Sequence, residues 1–585
     1  MNDINKKKYL GLLYVVLNDA LTKRTKVVIG FLPLVALISA LFEVASVGML
    51  VPFIQSLINP DFLKNIDVIH KIMVFFGWAD ADIAFYVQVT FFLFIVFSGA
   101  TRIFCNRIML FANARIGSEI SCYGVKKLLK MDYEAYTQTD SASAITTLTR
   151  KIDEVLDLTI TPILMIITGS ITLSMIIGFL AWAAPEISVF IFVSIFITYA
   201  VVSSITVRML KKHSKNQASG SVLVMTYLKE MIAGFRDIKL MNLNGKYVKD
   251  HFQADQLFRN SQASIRFYSQ SPKFVVETVI LLIAFVLALV LVSQDMLANS
   301  APTLIMIAIG LQKALPYTQI IYSSLSLLEG GKASGLDLID FLENSEVVDN
   351  LIPVSAEQGC DFQTIELAHV SFKYKTSEVM ILKDINFLIE IGDRIGVVGG
   401  SGTGKSTFSD LFLGLLKPSH GSIYINGLEL ETQILRIWQN MIAHVPQNLF
   451  IQNASLAENI AFGVPKNLID IPRVNEVLAD VELSKFVQAL PNGIWSPLGD
   501  DGGAISGGQR QRICLARALY NRQPEILVLD EPTSALNVEL GDEIIKLVFS
   551  LKRFKALLIV THNQDVLKQC NKTIDLDNKL RISKV

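Results

Sequence analysis

Ile395-Gly396-Val397-Val398-Gly399-Gly400-Ser401-Gly402-Thr403-Gly404-Lys405-Ser406-Thr407 decides how the C-terminal part of this chain is read. Residues 395–398 form a short apolar run with the character of a buried strand, and residues 399–406 match G-x-x-x-x-G-K-[ST]. The glycines let backbone N–H groups wrap the phosphates of a nucleotide, and the helix expected to follow turns its positive N-terminus toward them. Lys405 neutralises phosphate charge, and the Ser406 hydroxyl is placed to bind Mg2+. Gly399, Gly400, Ser401, Gly402, Thr403, Gly404, Lys405, Ser406 and Thr407 are therefore expected to form one phosphate loop.

Working outward, a second apolar run at 526–529 ends in Asp530-Glu531-Pro532. An acidic residue at the end of a strand can hold Mg2+ through water, the role expected of Asp530. Glu531 is then placed to orient or deprotonate an attacking water. Just before this run stands Ile505-Ser506-Gly507-Gly508-Gln509-Arg510-Gln511-Arg512, which resembles the signature of ATP-binding-cassette (ABC) transporters, usually written Leu-Ser-Gly-Gly-Gln. Tyr374, Gln447, residues 534–537 and His562 fall in the family's order around it.

The resemblance implies roles for each of these residues. Tyr374 stacks on adenine. Gln447 reaches the metal or the water, joining Ser406 and Asp530 as metal contacts. His562 bonds the γ-phosphate and completes a catalytic set with Glu531 and Gln447. Ser506, Gly508 and Gln509 meet the γ-phosphate of ATP held by the opposite subunit, so the resemblance implies a homodimer with ATP and Mg2+ as cofactors. Three departures stand out. Ile505 replaces Leu, Asn537 stands where the family usually has Asp, and Gly499-Asp500-Asp501-Gly502 resembles the exporter Gly-Glu-x-Gly segment with the shorter Asp in place of Glu. The hydrolytic set is intact, so ATP hydrolysis is expected.

The rest of the chain is of another kind. Of 585 residues, 51% are hydrophobic and 18% charged, against about 25% charge in an ordinary soluble domain. Mean hydropathy is +0.44. A formal net charge of zero argues against a globally basic nucleic-acid binder. Cys105, Cys122, Cys360, Cys514 and Cys570 are scattered, with neither a disulfide framework nor a zinc spacing. The lysine-rich N-terminus reads as no cleaved signal peptide.

Six apolar stretches long enough to cross a bilayer precede residue 330, at roughly 27–54, 83–104, 158–182, 187–207, 274–294 and 302–327. The expected fold is an α-helical six-span membrane domain over 1–335, a linker over 336–361, and an α/β P-loop nucleotide-binding domain over 362–585. Lys and Arg number 26 in the N-terminal segment and the two long connections, against two (Lys64 and Lys71) on the other side. That asymmetry places both termini in the cytoplasm. Apolar periodicity at 109–131 and 222–243 extends the membrane helices past the bilayer. Residues 132–140 and 234–245 are the expected far turns, and the expected points of contact with the cassette. Residues 8–22 read as an amphipathic helix on the inner membrane face. Residues 62–76 read as an external helix, either amphipathic against lipid or simply filling a loop.

Ionisable residues at membrane depth are candidates for function because burying them is costly. Glu43, Arg102, Arg107, Glu277 and Lys313 qualify, with Arg266 and Lys273 at the start of the fifth stretch. The arginines and Lys273 either mark the cytoplasmic boundary or line a wet vestibule. Lys313 either offers a cation to a phosphate-bearing cargo or pairs with Glu43 or Glu277.

Six helices with long cytoplasmic extensions ahead of a cassette resemble the exporter type of ABC protein. Residues 230–240, 41–44 and 52–54 look like the PglK-like flippases of lipid-linked oligosaccharides. The implied function is ATP-driven flipping of a polyprenyl-pyrophosphate-linked glycan across a bacterial inner membrane. Lys313, Arg102, Arg266 and Lys273 are then the candidate cargo contacts. Lipid A, a hydrophobic drug or a peptide are the alternative cargoes, and an ATP-gated channel or regulator is the alternative from another class.

Overall fold

A computed structural model describes residues 11, 15–58, 83–139, 141–293, 297–343, 361–400, 402–499, 505–520, 524–532, 538–551, 553–577 and 583–584. The chain divides into two compact units. One comprises residues 1–131 and 139–347; the other comprises residues 132–138 and 348–585.

The first unit is helical. Its elements begin with α1 (Lys23–Gly48), α2 (Leu50–Ile58) and α3 (Ile83–Leu129); α4 (Tyr133–Gln138) belongs to the second unit. A continuous helical run follows: α5 (Ser141–Thr146), a π-turn (Thr147–Lys151), α6 (Ile152–Val155), a second π-turn (Leu156–Ile160) and α7 (Thr161–Ala183). Then come α8 (Pro185–Ala233), α9 (Phe235–Leu240), α10 (Asn244–Ser293), α11 (Leu297–Gly330) and α12 (Lys332–Glu343). Thr22 caps α1 by accepting the N–H of Thr25, and Pro185 opens α8, where its missing donor costs nothing.

Helices α3, α8 and α10 have 47, 49 and 50 residues. At 1.5 Å per residue each is about 70 Å long, more than twice a bilayer's hydrocarbon core. These helices are long enough for the expected extensions. Among the described residues five stretches are long and apolar enough to cross a membrane: Lys23–Ile58, Ile83–Leu129, Ser143–Ala183, Phe192–Ala233 and Leu304–Leu328. The expected stretch at 274–294 falls at the end of α10 and lies partly outside the described residues. The external helix at 62–76, and all but residues 11 and 15–22 of the N-terminal amphipathic helix, also lie outside them.

Leu32, Ile116, Ile120, Val155, Leu338 and Ile339 share one buried cluster, which joins α1, α3, α6 and α12. The expected linker at 336–361 is thus helical at its start, because Leu338, Ile339 and Leu342 of α12 bury their side chains in this cluster. Close approach of α7 and α11 depends on Gly310, where a Cβ would come within 2.9 Å of Leu180.

The second unit is α/β. In chain order its strands and helices are β1 (Thr364–Phe372), β2 (Leu382–Glu390), β3 (Arg394–Val398), α13 (Lys405–Phe412), β4 (His420–Ile425), β5 (Leu428–Glu429), α14 (Thr432–Met441) and β6 (Ile442–Val445). They continue with α15 (Leu456–Ile460), α16 (Ile471–Asp480), α17 (Ser484–Ala489), α18 (Gly507–Tyr520), β7 (Ile526–Asp530), α19 (Val538–Ser550), β8 (Ala556–Val560), α20 (Gln564–Leu567), β9 (Lys572–Asp575) and β10 (Ser583–Lys584).

One sheet is antiparallel in the order β2-β1-β4-β5, and the other runs β10-β9-β3-β8-β7-β6. Every pairing between β9 and β6 in the second sheet is parallel. Its central strands read as continuous apolar runs because both faces are covered: residues 526–529 and all of β8 are buried. One core fills the space between the sheets around α13 and α14, with Trp438 fully buried and its Nε1 donating to the Phe412 carbonyl at 2.7 Å. A second core lies among α15, α16, α18 and α19 against the same large sheet.

Candidate nucleotide site

In an open parallel sheet the ligand crevice lies beyond the carboxyl ends of the strands. Strands β3, β8, β7 and β6 are consecutive neighbours. Their carboxyl ends therefore present, side by side, the phosphate loop, His562, Asp530 with Glu531, and Gln447. Residues far apart in the sequence become neighbours through strand order alone.

The loop after β3 has the backbone its glycines allow. Gly402 and Gly404 sit at φ +82° and +95°, where a side chain would strain the chain, and a Cβ on Gly404 would also approach Ile381 to 2.6 Å. Gly404 caps α13, so the first free N–H groups of that helix face the loop. Lys405 is buried, and its ammonium donates to the carbonyls of Gly399 and Gly400 at 3.0 and 2.9 Å. Thr403 closes the turn onto the Gly400 carbonyl at 3.0 Å. Ser406 is exposed on the first turn of α13 and Thr407 is buried behind it. Ser401 lies outside the described residues.

The three expected catalytic residues converge. Gln447 Nε2 donates to Glu531 Oε2 at 2.7 Å, and His562 Nε2 lies 3.4 Å from Glu531 Oε1. Glu531 occupies the left-handed region at φ +46°, rare for a residue with a side chain, with its N–H fixed to the Val560 carbonyl at 2.9 Å. That bond fixes the backbone from which the carboxylate meets Gln447 and His562.

The electrostatics fit a cation and phosphates. Burial, followed by the charge of Glu531, raises the Asp530 carboxyl above its usual range, and Lys405 opposes the rise. Burial, followed by Asp530, pushes Asp410 of α13 up to about 6, against a hydrogen bond from the Tyr133 hydroxyl. Crowded carboxylates beside one lysine favour a divalent ion. Among the described residues no group of three or more His, Cys, Asp or Glu is arranged to hold a metal alone. Mg2+ usually takes one or two carboxylates and completes its shell with water and substrate phosphates, so Asp530 with Ser406 would be share enough from the protein.

Tyr374 is half-buried at the loop after β1. Its ring meets Phe372 edge-on at 5.0 Å, and its hydroxyl lies 3.3 Å from Thr407 Oγ1. The residue expected to stack on adenine and the expected phosphate loop are thus in contact. The signature segment caps its own helix. Ser506 Oγ accepts the N–H of Gln509 at 3.3 Å and the Ser506 N–H donates to Gln509 Oε1 at 2.9 Å, a reciprocal cap on α18, where Gly508 is buried. Among the described residues no hydrogen bond joins 506–509 to 402–407. Residues 500–504 and 533–537, with the Asp500–Asp501 and Asn537 departures, lie outside the described residues.

Asp410 and Tyr133 were not singled out in the sequence. Asp410 stands five residues after Lys405, on a helix face that only the fold turns toward Asp530. Residues 132–140 were expected as a turn that meets the cassette. The structure has a short helix there, α4, packed within the cassette unit. Residues 234–245 hold α9, within the helical unit.

The charged candidates of the helical unit are partly brought together. Lys313 Nζ donates to Ser46 Oγ at 2.7 Å, and the Tyr317 hydroxyl donates to Glu43 Oε2 at 2.6 Å. Glu43 is buried, and the Arg102 guanidinium lies 5.7 Å from the centre of the Tyr317 ring. Arg107, Arg266, Lys273 and Glu277 are exposed on the chain as it stands. Tyr317 was missed because nothing in the sequence links a tyrosine one turn after Lys313 to a glutamate in α1.

Comparison with known proteins agrees with this geometry. Residues 382–534 match the family model for the ABC transporter domain. The chain is 32% identical over 349 residues to the ATP-dependent lipid A-core flippase of Saccharophagus degradans, which takes in 58% of this chain and 57% of that protein. It is 26% identical over 484 residues to the flippase of the same name from Albidiferax ferrireducens, 80% of each chain. The match to its namesake in Burkholderia pseudomallei is 35% over 216 residues, 36% of this chain and 35% of that protein. The first of these alignments thus spans a little over half of the relative's length. The chain thus carries an ABC transporter domain behind a helical region that has, among the described residues, five stretches long and apolar enough to cross a membrane.

Proposed function

We propose that this chain is one half of a homodimeric ABC exporter in a bacterial inner membrane, which uses ATP to carry an anionic, saccharide-bearing lipid from the cytoplasmic to the outer leaflet. Lipid A-core is the first-choice cargo. The observation that carries this choice is the reach of the similarity. A cassette is common to transporters of every cargo and says nothing about what is moved. The 484-residue alignment with the Albidiferax flippase takes in 80% of the chain, well beyond residues 382–534. The sequence-based preference for a polyprenyl-pyrophosphate-linked oligosaccharide becomes the second reading, favoured by residues 41–44, 52–54 and 230–240. Both cargoes present phosphate on a lipid, which suits Lys313, Arg102, Arg266 and Lys273 as contacts.

In the cassette, Lys405, Ser406, Thr407 and the N–H groups of the glycine loop bind the phosphates, and Tyr374 holds the adenine. Asp530 and Gln447 would hold Mg2+ with Ser406. The metal, when bound, neutralises charge on the transferred phosphate. Glu531 orients and deprotonates the attacking water, and His562 bonds the γ-phosphate. Ser506, Gly508 and Gln509 of a second copy complete each site.

The test is leaflet transfer in proteoliposomes, with fluorescent lipid A-core and a fluorescent polyprenyl-pyrophosphate oligosaccharide run in parallel. ATP-dependent transfer of lipid A-core, absent in Glu531→Gln, is the expected result. Transfer of the polyprenyl cargo alone selects the second reading. Hydrolysis with transfer of neither removes both.

A further inference from the structure

Residues 132–138 pack with the cassette, although the chain enters them from α3 and leaves them into α5, both helices of the other unit. Their contacts are polar and directed. Glu134 is 8% exposed, and its Oε1 accepts the backbone N–H of Lys375 at 2.5 Å. Asp132 Oδ2 lies 4.0 Å from the Lys375 ammonium. On the other side of the segment, Tyr133 packs on the core between the sheets and its hydroxyl bonds the Asp410 carboxylate on α13.

Lys375 directly follows Tyr374, the residue at the adenine side of the site. The same loop is also held by Ser377 N–H to the Tyr374 carbonyl at 2.9 Å, Lys373 N–H to Ser419 Oγ at 3.1 Å and Val379 N–H to Ser377 Oγ at 3.1 Å, so Glu134 supplies its bond at Lys375 itself. A buried carboxylate accepting a backbone N–H makes a charge-assisted bond, stronger than a neutral one. Removing the acceptor leaves that N–H without its partner and frees the backbone next to Tyr374.

We propose that Glu134 is a positioning residue for the nucleobase: by holding the N–H of Lys375 it fixes the loop that presents Tyr374 to adenine. Glu134 touches no substrate atom and acts only through Lys375 and Tyr374. A segment continuous in sequence with two helices of the apolar unit therefore sets how tightly the base is held. The inference rests on the reading of residues 399–407 as the phosphate loop and of Tyr374 as the adenine contact.

The experiment uses the full chain in lipid and compares wild type, Glu134→Ala, Glu134→Gln and Lys405→Ala. KM and kcat for MgATP are measured together with inhibition by inorganic tripolyphosphate, which engages the phosphate loop and has no base. In Glu134→Ala, KM for MgATP rises about tenfold with kcat within about twofold, and tripolyphosphate inhibits as in wild type. Glu134→Gln recovers most of the loss, because its amide oxygen accepts the same N–H. Faster hydrogen exchange at the Lys375 amide in Glu134→Ala reports the lost bond even where turnover fails. The proposal is overturned by an unchanged KM, by a parallel loss of tripolyphosphate binding, or by Glu134→Gln behaving like Glu134→Ala. ATP turnover in Lys405→Ala equal to that of wild type overturns the phosphate-loop reading itself, a result separate from any of these.

Discussion

The two units assemble their polar centres in opposite ways. In the cassette, four neighbouring parallel strands end side by side, so each functional residue needs only to follow its own strand. In the helical unit, the cluster of Glu43, Ser46, Lys313 and Tyr317 is made by helices whose bonded residues stand 267 and 274 positions apart. The first arrangement ties chemistry to short local motifs. The second ties it to helix packing, and a single residue in it means little until its partner across the interface is known.

The sharpest way to break that contrast is at Glu531. If the cassette concentrates its chemistry at the strand ends, Glu531→Gln removes the water-activating base while the phosphate loop still binds nucleotide. ATP turnover is expected to fall by at least about 100-fold, with nucleotide retained. Phosphate release and nucleotide occupancy measured on one preparation check this. Turnover at the wild-type rate sinks the assignment, and the Gln447–Glu531–His562 convergence becomes structural.

A smaller effect is expected across the helix interface. Lys313→Ala removes the ammonium bonded to Ser46, one turn from Glu43. Cargo transferred per ATP hydrolysed is expected to fall about tenfold, the scale of one lost charged hydrogen bond. The ratio of transfer to phosphate release in proteoliposomes measures it. An unchanged ratio returns Lys313 to helix packing, where its bond to Ser46 already gives it a role.

This contrast also explains what the sequence made legible. Glycine positions, the lysine after them and the acidic pair closing an apolar run are demands of backbone geometry and phosphate charge, so they appear at fixed spacing. Hydropathy gave the apolar stretches for a similar reason, since a bilayer sets their length. Asp410 and Glu134 were not legible. Asp410 matters only because α13 turns it toward Asp530, and Glu134 only because α4 packs against the loop after β1. Residues 336–343, at the start of the expected linker, are helical because the apolar residues of α12 find their partners in α1, α3 and α6.

The contrast reaches down to single buried groups. Glu43 is buried in the helical unit with a hydrogen-bond donor in place, whereas His444 on β6 has a buried Nε2 with no partner among the described residues. Burial lowers the His444 pKa from 6.5 to about 4. The folded cassette therefore holds this ring neutral at pH values where the unfolded chain binds a proton. Stability tied to His444 is complete above about pH 6.5 and is lost as pH falls toward 4. By pH 5 the loss amounts to about 2 kcal/mol, because protonating the unfolded chain costs the fold about 1.4 kcal/mol for each pH step below 6.5. His444→Phe keeps a ring beside Val528, its partner on β7, and removes the titration. The cassette's unfolding midpoint in denaturant, taken at pH 7.5 and pH 5 for both proteins, isolates this one group because every other titration is shared. The variant is expected to lose about 2 kcal/mol less than wild type over that interval. Equal losses would mean that water or a shifted rotamer reaches the ring, so that the sheet side accommodates an unpaired polar group as readily as the helix interface accommodates a paired one.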